Sequence, residues 1–279
     1  DRNTLLFSAT MSKDIEKIAL NYLHDHKEIV VGSRNEGAEH VNHIYYLVNA
    51  KDKYLALKRV VDFYPRIFAI IFCRTKLETQ DIADKLIKDG YNAEALHGDL
   101  SQQQRDFTMQ KFRNHTVLFL VATDVAARGI DVPTITHVFN YGLPMKAEDY
   151  THRIGRTGRA GREGRAFSFV SGKEVYKLKE IQRYCKTKIY AQKVPSLNDV
   201  ANTKMENILD DVERVIEQED LDMMINAIEE RVNNSEFTAM DMAAAFLKIC
   251  CGMTEDNKNT EENDWEFGDT GAGEDGMVR

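Results

Sequence analysis

Five arginines spaced three residues apart are the residues whose type and spacing most directly predict chemistry in this chain. They lie with four glycines in HRIGRTGRAGREGR (152–165), which contains one acidic residue, Glu163. Guanidinium groups stay charged and match phosphate oxygens with planar sets of donors, and glycine lets a backbone approach a ligand closely. The stretch predicts either a site for an anionic partner or, alternatively, a solvated basic loop, and none of its arginines is expected in the core. The arginines are Arg153, Arg156, Arg159, Arg162 and Arg165.

The distribution of charge along the chain indicates which part binds an anion. The 279 residues carry a net charge of -8, but residues 1–195 hold 31 Lys and Arg against 23 Asp and Glu. Residues 196–251 hold 4 against 13, and residues 252–279 hold 2 against 9. A basic segment favours a nucleotide or nucleic-acid partner. We therefore expect the ligand to bind the first 195 residues, and the acidic remainder to have another role.

Composition excludes several classes of protein. No apolar run is long enough to span a bilayer, and the N-terminus lacks the basic and apolar regions of a secretory signal. The four cysteines show no metal-ligand spacing, which favours free thiols in a reducing cytoplasm. The sequence therefore predicts a cytoplasmic protein with no membrane span and no metal site of its own.

The elements that must position these residues alternate between strand and helix from residue 43 to residue 193. Strands such as 69–72 and 117–121 are apolar on both faces, which predicts an α/β fold with a parallel sheet and helices on both faces. Polar residues and glycines follow the strands, and in such sheets ligands bind beyond the carboxyl ends of the strands. We expect all of these residues on that one rim. Each alone has a structural alternative, for example Thr123 and Asp124 as a helix cap or Gly129 in a turn.

Five motifs in this order resemble those of the C-terminal half of a DEAD-box RNA helicase. The resemblance covers residues 1–194 and implies a RecA-like domain. The sequence contains no GxxxxGK[ST] phosphate loop and no DEAD tetrad, the motifs of the half that cradles ATP and magnesium. The five motifs are SAT (8–10), IIFCRT (70–75), HGDLSQQQR (97–105), VATDVAARGIDV (121–132) and HRIGRTGRAGR (152–162).

The resemblance implies a role for each matched residue. Arg156 and Arg159 are implied to reach the γ-phosphate of ATP as catalytic arginine fingers, Asp131 to accept the ribose hydroxyls, and Gly129 to allow close approach; magnesium is implied to bind mainly to the N-terminal half. Binding of the RNA backbone, independent of base sequence, is implied for Arg74, Gly98, Gln102, Arg105, Thr123 and Asp124. Coupling between the two motor domains is implied for Ser8, Thr10, His152 and Arg153.

The acidic segment has apolar residues at helical spacing and predicts three short helices. So small a helical unit must dock on the preceding domain or on a second copy of itself. We favour a homodimer through residues 196–251, and this segment also resembles the dimerisation segment of bacterial cold-shock-type DEAD-box helicases. Residues 252–279 have the composition of a disordered acidic linker, and in the resembled helicases an RNA-recognition-type domain often follows such a linker.

These observations predict a domain order and leave three functions open. The first is the C-terminal half of an ATP-dependent RNA helicase, inactive alone. The second is an RNA-binding or annealing module without turnover, and the third is a helical platform for partner proteins. The predicted order is a remnant of the N-terminal RecA-like domain with two strands at 4–10 and 28–32 (1–33), a linker (34–40), the C-terminal RecA-like domain (41–194), the dimerisation module (195–251) and the acidic linker (252–279).

Overall fold

The computed structural model describes residues 4–8, 11, 13–23, 27–29 and 40–253. These residues divide into two compact units. The first runs to Leu57 and continues over Ile67–Lys193, and the second combines Lys58–Arg66 with the residues from Val194 onward. The change of unit after Lys193 falls beside the predicted domain boundary at residue 194.

The first unit is built on a parallel sheet of seven strands in the order β3-β4-β2-β5-β6-β1-β7. All described strand pairs are parallel. Every residue of β2 and β5 is buried, as expected for strands covered on both faces. The predicted RecA-like α/β fold is therefore confirmed. The strands are β1 Val41–Leu47, β2 Ala69–Cys73, β3 Ala93–Leu96, β4 Phe119–Thr123, β5 His137–Asn140, β6 Gly164–Val170 and β7 Tyr190–Gln192.

Helices cover both faces of this sheet. Crossovers between parallel strands are right-handed, so α2 and α3, whose strands step toward β3, cover one face. The helices α4, α5 and α6 connect strands that step toward β7 and cover the other. Phe112, Tyr150 and Ile181 from these three helices are buried. The helices are α1 Lys13–Tyr22, α2 Lys53–Phe63, α3 Lys76–Lys88, α4 Gln102–Arg113, α5 Ala147–Ile154 and α6 Val175–Cys185.

The predicted strands before residue 40 are absent from the described residues. Residues 4–8 have no regular secondary structure, and Leu5 and Phe7 are 77% and 88% exposed. A strand needs a neighbour for its backbone hydrogen bonds, and no described strand pairs with this segment. Residues 28 and 29 also lack strand structure, while the predicted helix ending at Tyr22 is confirmed as α1. Residues 34–39 of the predicted linker lie outside the described residues.

The described residues of the second unit from Val194 onward form three helices, as predicted, although the first is 22 residues long rather than short. They are α7 Leu197–Gln218, α8 Asp222–Asn233 and α9 Ala239–Cys250. Ser196 and Thr238 form capping boxes at the starts of α7 and α9, which explains where these helices begin. None of the three helices contains a buried residue. Their apolar residues therefore remain open to another surface.

None of the helices in the described ranges is long and apolar enough to cross a membrane. The predicted acidic linker, apart from Gly252 and Met253, lies outside those ranges.

Candidate nucleotide and RNA site

The five arginines do not form one uniform surface. Arg153 is only 1% exposed, Arg156 and Arg159 are half-buried, and Arg162 and Arg165 are exposed. The expectation that no arginine of this stretch lies in the core is therefore wrong for Arg153. Burial of a guanidinium is tolerated when a carboxylate and further acceptors surround it.

Arg153, in the last turn of α5, has such surroundings. Its Nε and Nη2 donate to the two carboxylate oxygens of Asp124 at 2.6 and 2.8 Å. Its Nη1 donates to the side-chain oxygen of Asn140 at 3.0 Å and to the carbonyl of Gly142 at 2.6 Å. The guanidinium also lies 5.0 Å from the centre of the Phe72 ring. Arg153 therefore holds together the segments that follow β4 and β5.

Arg156 and Arg159 contact the segment that contains Asp131. Arg156 donates to the carbonyl of Ile130 at 2.7 Å. Arg159 donates to Asp131 at 2.6 Å and to the carbonyl of Gly155 at 2.6 Å. Burial, and then the charge of Arg159, lower the pKa of Arg156, while Asp131 acts in the opposite direction. Two cations thus share a single carboxylate, which leaves a local excess of positive charge.

This arginine pair does not lie on the carboxyl rim where we expected it. Helix α5 carries the chain back along the sheet, so the segment between Ile154 and Gly164 leads into the amino end of β6. Thr157 in this segment donates to the carbonyl of Ile135, which precedes β5. Asp124 and Arg74 instead follow the carboxyl ends of β4 and β2. The sequence between residues 124 and 136 connects the two groups.

Gly129 has space around it for a ligand. Its φ is +77°, a conformation that other residues adopt only with strain, and an added Cβ would meet no atom within 4 Å. Asp131, two residues later, has a side chain that is 84% exposed. An open backbone, an exposed carboxylate and two arginines fit the sugar and phosphates of a nucleotide. Across the described part of the chain, no group of three or more His, Cys, Asp or Glu could hold a metal ion.

Arg74 follows the carboxyl end of β2, and two acceptors hold its guanidinium in place. Its Nε donates to the carbonyl of Leu143 at 2.9 Å, and its Nη2 pairs with Glu174 at 2.5 Å. Glu174 also accepts from Lys53 at 2.9 Å and from the amide of Ser171. Burial alone would raise the pKa of Glu174, but the hydrogen bonds from Ser171 and Lys53 prevail and lower it to about 2. Arg74 is therefore held in place by a partner that is ionised at neutral pH.

The remaining predicted RNA residues lie at the carboxyl ends of the neighbouring strands β3 and β4. Gly98 is exposed in the turn after β3, where His97 accepts from the Asp99 amide and contacts Gln80. Gln102 is exposed at the start of α4, whose first turn is fixed by the predicted Ser101 cap. Arg105 donates to the carbonyl of Ala126 at 3.5 Å, and Thr123 accepts from the Ala126 amide at 3.4 Å. The residues after Thr123 form turns and no helix, so Thr123 binds a turn amide and the alternative of a helix cap at Thr123 and Asp124 is wrong.

The residues predicted to couple the domains have different environments. Ser8 is exposed, and Thr10 lies outside the described residues. His152 is exposed, with its Nδ1 3.8 Å from Asp149. Arg153 is bound within the domain and pairs with Asp124, one of the predicted RNA residues. In this structure both members of that pair therefore position loops.

Sequence reasoning did not identify Asn140, Gly142 or Glu174. Asn140 had a detectable signal, because it is a polar residue at the end of the apolar strand HVFN, and it proves to be fully buried. Glu174 had none, since it looks like an ordinary acidic residue at a helix start. Its contacts with Lys53 and Arg74 join residues 121 and 100 positions apart in sequence.

Comparison with known protein families gives two matches. Residues 52–161 match the model of the helicase conserved C-terminal domain, and residues 195–261 match that of the RNA helicase DeaD dimerization domain. The second match covers the segment for which dimerisation was predicted.

Individual proteins resemble the chain over most of its length. A DEAD-box ATP-dependent RNA helicase CshA of Geobacillus kaustophilus is 38% identical over 89% of this chain and 53% of its own length. A crystal structure of the E. coli DEAD-box protein SrmB is 36% identical over 55% of this chain and 90% of that one, with a TM-score of 0.51. S. cerevisiae Dbp5 bound to RNA and ADP BeF3 is 31% identical over 76% of this chain and 54% of that one, with a TM-score of 0.63. The chain spans about half the length of the curated relatives it matches.

Proposed function

The chain belongs to the DEAD-box ATP-dependent RNA helicases, and from this premise we propose that it forms the C-terminal half of the motor of such an enzyme. It binds the backbone of single-stranded RNA and provides Arg156 and Arg159 to ATP when an N-terminal RecA-like domain closes on it. It pairs with a second copy of itself through residues 196–251. Alone it is inactive, because its sequence lacks a phosphate loop and a DEAD tetrad.

The observation that carries this proposal is the contact of Arg156 and Arg159 with residues 130 and 131. Arg159 pairs with Asp131 at 2.6 Å, and Arg156 donates to the carbonyl of Ile130. When ATP is the substrate, its phosphates accept from these arginines and its ribose hydroxyls donate to Asp131. Pre-placed guanidinium groups stabilise the charge that develops during phosphoryl transfer. Magnesium is held mainly by the N-terminal domain in this proposal.

RNA binds at the carboxyl ends of β2, β3 and β4 in this proposal. Arg74 is oriented by Leu143 and Glu174, and Gly98 and Gln102 are exposed beside it at the end of β3 and the start of α4. Such donors contact phosphates and 2′-hydroxyl groups, which are the same at every nucleotide whatever its base. Binding is therefore independent of sequence and sensitive to salt. Asp124 and Thr123 support this surface by holding the segment after β4.

The helices of the second unit form the proposed dimer contact. Phe237, Met242, Phe246 and Ile249 line an apolar cleft of about 520 Å³. With no buried residue in α7, α8 or α9, these side chains gain most from a second copy, and twofold pairing is the commonest arrangement of this kind. The match to the dimerization family supports the same conclusion. Light scattering of this chain and of one ending at Val194 tests it, and pairing predicts loss of more than half of the mass.

A cytoplasmic location completes the proposal. The four cysteines are free, and three of them are buried, as expected for a protein kept in a reducing compartment.

The test of the motor function uses the protein restored to its full length. Arg156→Ala should reduce RNA-stimulated ATP hydrolysis by about 10³-fold, in the range of arginine fingers in general, and leave RNA affinity within about threefold. Arg162→Ala is the matched control, because Arg162 belongs to the same stretch and is exposed. Unchanged hydrolysis in Arg156→Ala would reject the finger role. A full-length wild-type protein that binds RNA but shows no RNA-stimulated hydrolysis would favour the alternative, an RNA-binding or annealing module without turnover.

A further inference from the structure

Helix α6 has a stripe of one aromatic and three basic residues that the proposed motor does not use. Tyr176, Lys179, Arg183 and Lys186 follow one another at spacings of three and four residues and are all exposed. Tyr176, Lys179 and Arg183 lie within α6 and share one of its faces, and Lys186 follows directly at its end. Lys179 and Arg183 are one turn apart, about 6 Å along the axis. We call these four residues the α6 stripe.

An open cleft of about 420 Å³ adjoins the stripe at the end of α6. It is lined by Lys179, Gln182, Arg183, Lys186, Thr187 and Lys188, with no carboxylate among them. The two nearest acidic residues in sequence are engaged elsewhere, since Glu174 binds Lys53 and Arg74 while Glu180 binds Lys177. Within the part of the chain that the structure describes, no ion pair involves any of the four cations that line the cleft. Concentrated cations without counter-charges attract an anionic ligand.

The backbone of Lys186 adds an independent observation. Its φ of 49° and ψ of 31° place it in the left-handed region at the C-cap of α6, a position that glycine usually occupies. A lysine in this conformation is strained. Strain of this kind points to a functional role when the residue also lines a cleft, and here it adds a cation at the mouth of the cleft.

A second aromatic residue lies beside the cleft. The Lys188 ammonium is 4.9 Å from the centre of the Tyr190 ring, and Tyr190 is exposed on β7, at the edge of the sheet. Exposed aromatic rings beside cations are the usual composition of surfaces that bind single-stranded nucleic acid, because bases stack on them while phosphates meet the charges. Inositol phosphates and free polyphosphate would have no need of the aromatic rings.

We infer that the α6 stripe and the adjoining cleft form a second binding site for the RNA backbone. This site lies beside the amino end of β7 at one edge of the sheet, because α6 runs back from the carboxyl end of β6. The proposed motor site follows the carboxyl ends of β2, β3 and β4 near the other edge. An RNA long enough to cross from the carboxyl ends to the amino ends of the strands contacts both sites, and a short one contacts only the motor site. The inference rests on the proposed RNA binding and adds a contact that increases affinity for long RNA.

Four variants of the protein test this site. Lys179→Gln with Arg183→Gln removes two cations of the stripe, and Lys186→Gly removes a third. Glycine accepts the left-handed conformation, so Lys186→Gly should fold at least as stably as the wild type. Lys85→Gln with Lys88→Gln on α3 is the matched control for charge, and Arg74→Gln with Arg105→Gln is the variant of the motor site.

Binding is measured by fluorescence anisotropy with a short uridine oligonucleotide and one about three times as long, over a series of salt concentrations. The salt slope is the slope of the logarithm of the binding constant against the logarithm of the salt concentration. The double variant of the stripe should reduce the magnitude of this slope for the long RNA by about 1.4, because each phosphate contact to a single strand contributes about 0.7. Binding of the short RNA should not change. Lys186→Gly should reduce the same slope by about half as much, and the α3 control should have no effect.

The outcomes separate the two proposals. If the stripe variants bind the long RNA with the slope of the wild type, the second site is rejected. If Arg74→Gln with Arg105→Gln leaves binding of the short RNA unchanged, the motor site is wrong whatever the stripe does. Competition with tripolyphosphate tests the ligand class. If tripolyphosphate displaces the long RNA no more effectively than chloride at the same ionic strength, the site is an RNA site. Displacement at much lower ionic strength would identify a polyphosphate site and overturn the RNA assignment.

Discussion

Replacing Arg153 with methionine should destabilise the first unit severely. Methionine keeps much of the apolar volume against Phe72 but removes all four hydrogen bonds that the guanidinium makes with Asp124, Asn140 and Gly142. The acceptors of Asn140 and Gly142 are buried, and each loss costs about 1–3 kcal/mol. The side chain of Asp124 is 32% exposed and can be hydrated. We expect a total of about 3–5 kcal/mol, the range for breaking a buried ion pair.

A double-mutant cycle measures how much of this cost belongs to the ion pair. Asp124→Asn keeps one acceptor but leaves the buried guanidinium without a counter-charge, which should cost about 2–3 kcal/mol. With Arg153 already replaced, Asp124→Asn should cost little, so the double variant should be about 2 kcal/mol more stable than the sum of the single effects. Urea unfolding followed by circular dichroism at pH 7 gives all four free energies. In thermal unfolding, Arg153→Met should lower Tm by about 10 °C.

The result that would refute this reasoning is a stable Arg153→Met protein. If its free energy of unfolding is within about 1 kcal/mol of the wild type and its RNA affinity falls tenfold, Arg153 binds the ligand directly. Additive effects of Arg153→Met and Asp124→Asn would likewise show that the two side chains do not interact in solution.

Four further substitutions give three predictions about other parts of the first unit. Glu174→Gln should lower the free energy of unfolding by about 2 kcal/mol at pH 7. Folding lowers the pKa of this carboxyl from 4.5 to about 2, so its stabilising contribution is complete above pH 4.5 and is lost toward pH 2. Urea midpoints of variant and wild type that differ equally at pH 7 and pH 3 would contradict this prediction. Gly158→Ala should lower the free energy of unfolding by more than about 2 kcal/mol, because the added Cβ would lie 2.8 Å from Val41. Gly129→Ala, with open space around it, should lower it by only about 1 kcal/mol through backbone strain. Thermal unfolding measures both, and equal costs would exclude the contact with Val41 as the cause. Asp131→Ala should change the free energy of unfolding by less than about 0.5 kcal/mol, because the side chain is 84% exposed. In calorimetry of the full-length protein, the same variant should bind ATP at least tenfold more weakly. Unchanged ATP affinity would show that Asp131 is not part of the nucleotide site.

Local sequence patterns predicted the fold, which the structure confirms, and they selected the candidate site residues. Strand runs such as AIIF, with apolar residues on both faces, predict a parallel sheet between helix layers because only such a layer buries both sides. Ser101 with Gln104 predicts the start of α4 because the capping box is made by neighbours in sequence. The spacing of Arg156 and Arg159 and the order of the five motifs likewise depend on local sequence only.

The tertiary structure alone decided what each arginine contacts. Arg153 and Arg162 look equivalent in the sequence, but Arg153 is buried against Asp124 and Arg162 is exposed. The reason is that the end of α5 packs on the sheet, whereas the residues that follow α5 turn away from the sheet. The ion pair of Arg74 with Glu174 joins residues 100 positions apart, and the amino-end position of Arg159 follows from the return of α5 along the sheet. Spacing along the chain fixes only local geometry. Side chains that are distant in sequence meet because parallel strands pair, so their contacts depend on the strand order of the sheet.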